Sequence, residues 1–170
     1  TRHGGDPSRV VLVGHSAGAH IAAMLALDRQ WLESAGAPHG MVKGLVGLAG
    51  PYDFQPDTPN RRLIFGDPAG YARTQPISFV GPHAPPALLA TGAHDRIVDP
   101  GNSQRLALRL EAAGVPVTLR LYPHASHETI LGAFSPILRL IAPTLADSIA
   151  FIRSTTGAPS AQAIAPCPSI

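Results

Sequence analysis

Apolar residues occur along the chain in two alternating kinds of run. Residues 10–13 (VVLV) are a short, continuous β-branched stretch of the kind found in strands buried on both faces of a parallel sheet. Ile21, Met24, Leu25 and Leu27 then recur at helical spacing among alanines, which predicts a buried helix, with Trp31 and Leu32 closing its layer and a loop over 34–40. Residues 42–48 (VKGLVGL) read as a second strand ending at Gly50-Pro51, 87–92 (ALLATG) as a third and 117–122 as a fourth. Between the third and fourth, Leu106, Leu110 and Ala113 set a helix over 103–113 that Gly114 stops. A last helix is expected over about 130–153, interrupted near Pro136 and Pro143.

Two stretches break this rhythm. Residues 51–86 are long, Pro-rich and weakly periodic, and a connection of that length predicts a cap or lid with short helices. Residues 155–170 (TTGAPSAQAIAPCPSI) are small, polar and Pro-rich, the composition of a disordered tail. There is no internal repeat. Strand, helix, strand, cap, strand, helix, strand, helix is an α/β pattern, predicting a thin, doubly wound, mostly parallel sheet. Because it opens on a loop, it reads as the back half of a larger fold.

Composition narrows the classes. The 170 residues are 45% hydrophobic and 14% charged, with a net charge of +2 and Lys43 as the only lysine. No basic run suggests nucleic acid or an anionic membrane surface, and no apolar stretch reaches the ~18 residues that would suggest a membrane span. Cys167 is the only cysteine, so no intrachain disulfide can form. The chain opens Thr1-Arg2, so the absence of a signal peptide leaves the compartment open, and nothing in the sequence sets an oligomeric state.

The chemistry concentrates at strand ends. Gly14-His15-Ser16-Ala17-Gly18 sits between the first strand and the first helix, the setting in which a G-x-S-x-G turn exposes its serine above a sheet. Gly14 and Gly18 are expected to let strand and helix approach without a Cβ clash, and the Ala17 N–H to point where an oxyanion would develop. A serine nucleophile needs an acid and a base, following in the order Ser, Asp/Glu, His. Asp95, after the third strand in ATGAHDRIVDP, and His127, after the fourth in LYPHASHE, satisfy that order.

Each has rivals. Asp99 suits a turn before Pro100, and Asp53 could serve as an alternative acid or cap the following turn. His94 is expected to point away from Asp95, and His124 competes with His127. His124-x-x-His127-Glu128 lacks the partner cluster of a metal site, so no metal or other cofactor is expected. His20 is expected to line a pocket and His15 to contact an acyl group. Tyr52, Phe54, Phe65 and Phe79 belong to core or cap, and any that line a pocket would favour an apolar acyl or aryl substrate.

The segments GGDPSRVVLVGHSAGAHIAAMLAL, GLAGPYDF, PPALLATGAHDRIVDPGNS and YPHASHETIL together resemble the α/β-hydrolase superfamily, in its carboxylesterase and lipase-like branch. The GHSAGAH form is similar to BD-FAE-like esterases and to arylformamidases, with hormone-sensitive-lipase-like esterases close by. The resemblance spans nearly all of residues 4–153. It implies Ser16 as nucleophile, Asp95 as acid, His127 as base and the Ala17 N–H as an oxyanion donor, acting through an acyl-enzyme on a small-molecule ester or amide. It also implies that His3-Gly4-Gly5 belongs to a turn before the nucleophile strand, since the oxyanion H-G-G loop of such enzymes lies far upstream. The expectation is therefore a fragment lacking that loop and the early strands, its activity alone in question. Arylformamide hydrolysis, a peptidase of the prolyl-oligopeptidase type and a non-catalytic interaction protein on the same scaffold remain alternatives.

Overall fold

The computed structural model describes residues 5–38, 40–132, 134–137 and 139–157. His3, Gly4 and Cys167 lie outside them. The described residues begin with a turn on Asp6, whose carboxylate accepts from the Ser8 N–H and hydroxyl and pairs with Arg9. Those hydrogen bonds, from Ser8 first and then Arg9, hold its pKa down to about 2.

Strand β1 (Val10–His15) leaves this turn and pairs in parallel with β2 (Val42–Leu48). The sheet continues through β3 (Ala87–Gly92) to β4 (Val117–Tyr122), all parallel, in the order β1-β2-β3-β4. The crossovers carry α1 (Ala17–Leu27), α2 (Gln30–Ser34), α3 (Pro59–Phe65) and α4 (Gly101–Ala112). Strand alternation divides the core in two. Leu45, Ala87 and Leu89 face α1 and α4, meeting Ala19, Ala23, Leu106 and Leu110. Val46, Leu48, Leu88 and Ala90 face the other way, toward Ile130, Ala142 and the half-buried Phe151 and Ile152. That second face is covered by α6 (Thr144–Thr156), which Tyr122 ties to β4 by donating its hydroxyl to Asp147 at 2.7 Å. Helices thus cover both faces, the doubly wound arrangement expected of the pattern.

Several expectations need correction. Strand β1 is not buried on both faces: among the described residues it is an edge strand, and Val13 is 49% exposed. Ile21 and Trp31, read as core, are 58% and 50% exposed. The alanines of α1 make the close contact with the sheet instead, since a helix of small residues sits tightly on its strands and leaves longer side chains outside. As expected of Pro136 and Pro143, which cannot donate to a helical ladder, the last helix is interrupted and forms two pieces, α5 (Thr129–Gly132) and α6. Helix α6 runs to Thr156, past the expected start of the tail, of which residues 158–170 lie outside the described residues. Among the described residues no helix is long and apolar enough to cross a membrane.

The two glycines of the elbow differ. A Cβ on Gly14 would run into the carbonyl of Gly18, so only glycine lets β1 pass under the start of α1. A Cβ on Gly18 itself meets nothing within 4 Å, so the expected steric role there does not hold. Gly14→Ala should therefore cost about 1–3 kcal/mol in denaturant unfolding, as for overpacking, while Gly18→Ala should stay within about 1 kcal/mol of wild type. Equal losses at both positions would contradict this account.

Candidate active site

The C-terminal ends of parallel strands lie along one edge of the sheet, and three of the four here carry the chemistry-bearing residues. Ser16 follows β1 with φ 55° and ψ −124°, a left-handed conformation that costs a non-glycine residue about 1–3 kcal/mol. The surroundings enforce it. The Ser16 N–H donates to the Leu48 carbonyl at 2.9 Å, and its own carbonyl accepts from Ala19 and His20 at the head of α1.

Asp95 sits in the turn after β3 with its side chain buried. One carboxylate oxygen accepts from the backbone N–H groups of Ile97 and Val98, each at 2.9 Å. The other faces His127 Nδ1 at 2.8 Å. His127, after β4, is 6% exposed and turns Nε2 toward Ser16 Oγ at 2.9 Å. Because the carboxylate can only accept, Nδ1 carries the proton and Nε2 is left free to receive one.

The loops of Asp95 and His127 are pressed together. A Cβ on Gly92 would collide with the Ala125 carbonyl, and that same carbonyl accepts from the His94 N–H at 3.1 Å. The absence of a side chain at the end of β3 therefore sets the distance between acid and imidazole. His15 supports the same loop from below: Nε2 donates to the His127 carbonyl at 2.8 Å, and the two rings lie 4.8 Å apart. This corrects the expectation that His15 faces an acyl group.

The rival residues fall elsewhere. His94 and His124 are exposed and make no side-chain bond to the Ser16–His127–Asp95 chain. Asp53 pairs with Arg105 at 2.6 Å, and Asp99 accepts from the Gly101 N–H in the turn before α4. Both ring nitrogens of His127 are engaged by Asp95 and Ser16, which leaves the His124-x-x-His127 spacing without a free ligand atom on its second histidine.

Residues 51–86 form α3 and two short 3₁₀ turns, Pro68–Thr74 and Pro76–Phe79. Side chains that sequence reading passed over pin this segment. Asn102 Oδ1 accepts from the Tyr52 and Asp53 N–H groups, and Gln75 Oε1 accepts from the Phe54 N–H at 3.0 Å. His20, one turn after Ser16, donates Nε2–H to the Thr74 carbonyl at 2.8 Å and stands edge-on to Phe54 and Phe65. Burial lowers the His20 pKa, favouring the neutral ring. Nothing in their sequence surroundings, DPGNSQR and ARTQP, singles out Asn102 or Gln75.

These residues enclose a cavity of about 670 Å³ over Ser16 and Ala17, with His20, Ile21, Phe54 and Phe65 in its wall. Among the described residues the Ala17 N–H beside it donates to no backbone carbonyl. A positioned hydroxyl, an imidazole with one free nitrogen, a buried carboxylate and a free N–H can together move a proton and stabilise an oxyanion.

Comparison with known proteins shows what the chain is similar to. The BD-FAE family model matches residues 1–110, a span that includes Ser16 and Asp95. Over 167 residues the chain is 29% identical to the esterase LipQ of Mycobacterium tuberculosis, covering 88% of this chain and 39% of the relative. Over 146 residues it is 30% identical to the isoprenylcysteine alpha-carbonyl methylesterase ICME of Arabidopsis thaliana, covering 73% and 34%. A truncated carbohydrate esterase from gut microbiota superposes with a TM-score of 0.74 at 20% identity, covering 92% of this chain and 63% of that one. The chain thus spans between a third and two fifths of the length of these two curated relatives.

Proposed function

The chain belongs to the BD-FAE family, and from that premise we propose that it carries the active site of a serine hydrolase cleaving carboxylic esters of small molecules. The observation that carries the reading is the continuous hydrogen-bonded line from Ser16 Oγ through both nitrogens of His127 to Asp95. The names of the two curated relatives, both esterases, favour an ester over an amide or formamide substrate.

In this reading His127 Nε2 takes the Ser16 proton as Oγ attacks the ester carbonyl. The Ala17 N–H donates to the oxyanion of the tetrahedral intermediate. Asp95 keeps the Nδ1 proton in place and stabilises the imidazolium. As the intermediate collapses, His127 gives its proton to the departing alkoxide, leaving the acyl group on Ser16. Water, deprotonated by the same nitrogen, then attacks the acyl-enzyme and releases the acid. Every proton moves through one imidazole, so no cofactor is needed. We further read residues 1–154 as part of an α/β-hydrolase domain and residues 51–86 as its cap, standing over Ser16.

A fluorophosphonate probe tests this, since it reacts only with an activated serine. It should attach to wild type on the peptide containing Ser16, and Ser16→Ala should abolish the label. Unlabelled wild type, with no turnover of p-nitrophenyl acetate, overturns the reading.

A further inference from the structure

Beside the cavity over Ser16 lies a second pocket of about 350 Å³, open to solvent where Ile21, Trp31 and Arg73 are exposed, between α1, Trp31 and the cap. Its lining includes Met24, Leu25 and Trp31 together with His20, Ile21 and Phe65, and the last three also line the first cavity. The two spaces therefore share a wall. The wall is built rather than incidental: His20 is held by its bond to the Thr74 carbonyl, and its ring centroid lies 5.7 Å from that of Phe65. Arg73, the only charged residue of the second lining, is exposed. The exposure of Ile21 and Trp31, costly in water without a partner, gives this space an apolar character that suits a hydrocarbon.

The ester's orientation follows from proton transfer. His127 must protonate the departing oxygen, so the alcohol lies on the His127 side of Ser16. The first cavity is lined by Ser16, Ala17 and His20 and not by His127, which leaves it for the acyl group. We propose that the second cavity is the distal end of an acyl-chain site, and that His20 and Phe65 form the partition that sets the acyl length the enzyme accepts. This rests on the ester-hydrolase reading for its orientation, while the subsite itself is open to direct measurement.

Trp31 is the chain's single tryptophan and lines only the second cavity of the two, so its fluorescence reports occupancy there without any turnover. The experiment compares kcat/KM for p-nitrophenyl butyrate and decanoate in wild type, His20→Ala and Phe65→Ala. In parallel, methyl decanoate is titrated against Trp31 emission with Ser16→Ala added to each. Wild type should prefer butyrate. Opening the partition should raise the decanoate-to-butyrate ratio about 15-fold, chiefly through KM, as expected from two newly buried methylenes at about 4-fold each. Methyl decanoate should shift Trp31 emission in the opened variants, and methyl butyrate should not.

An unchanged ratio in whichever wall variants fold overturns the proposal. So does a changed ratio with Trp31 silent, because the chain would then be lodging elsewhere. If no ester is turned over but methyl decanoate still moves Trp31 emission in the opened variants, the subsite stands and the hydrolase reading falls.

Discussion

Replacing Ser16 with alanine is expected to lower kcat on p-nitrophenyl acetate by about 10⁶-fold, and His127→Ala by nearly as much. The two losses should not add. Ser16 and His127 share one proton across a 2.9 Å contact, and neither does its work without the other. The double variant should therefore retain the same residual rate as either single variant, supplied by the Ala17 N–H and by substrate binding alone. Steady-state kinetics at matched protein concentration, with the fluorophosphonate probe counting active sites in wild type alone, will read this directly. A Ser16→Ala protein keeping more than about a tenth of the wild-type rate would place the chemistry elsewhere, since a true nucleophile leaves far less behind.

The second large effect is expected at Asp95. Asp95→Asn preserves shape, yet should lower kcat by about 10⁴-fold. The reason lies in the Ile97 and Val98 N–H groups, both donating to the same oxygen. In the variant the amide oxygen must stay at that position to accept from two backbone N–H groups at once, which turns the NH₂ group toward His127. Nδ1 must then accept rather than donate, so the proton moves to Nε2 and the nitrogen facing Ser16 can no longer receive one. The thermal midpoint should change by only a few degrees, because every backbone bond in the turn survives. A variant with near-normal kcat would show that the orientation of the imidazole is set by something other than Asp95.

How much of this was legible in advance depended on whether the physics was local. The runs at 42–48 and 87–92 marked β2 and β3 because a strand in the middle of a parallel sheet is largely apolar along its length. Residues 117–122 (VTLRLY) instead showed β4 by alternating apolar and polar residues, as suits the edge it forms among the described residues. Ser16, Asp95 and His127 could be singled out because parallel strands deliver their C-terminal ends to one edge, so position relative to a strand stands in for position in space. The exposure of Val13 and Ile21 was not legible, since burial depends on which neighbours arrive and not on the residue's own character. The bonds of His20, Asn102 and Gln75 were hidden for a similar reason. Each reaches backbone groups of an irregular segment whose path no periodicity describes. Gly18 was misjudged because the Cβ space at a glycine is a property of the partner backbone.

The second strand of the sheet has a consequence for how such a chain can change over time. β1, β3 and β4 each end in one member of the Ser16, Asp95, His127 set, and β2 ends in none. The crossover from β2 to β3 is therefore the one connection that can lengthen, shorten or be exchanged without moving any of the three groups, provided that Asn102 still finds backbone to hold at its root. Selectivity can drift there while reactivity stays fixed. Grafting that crossover between relatives is accordingly the shortest route to altering what the site admits while leaving how it reacts untouched.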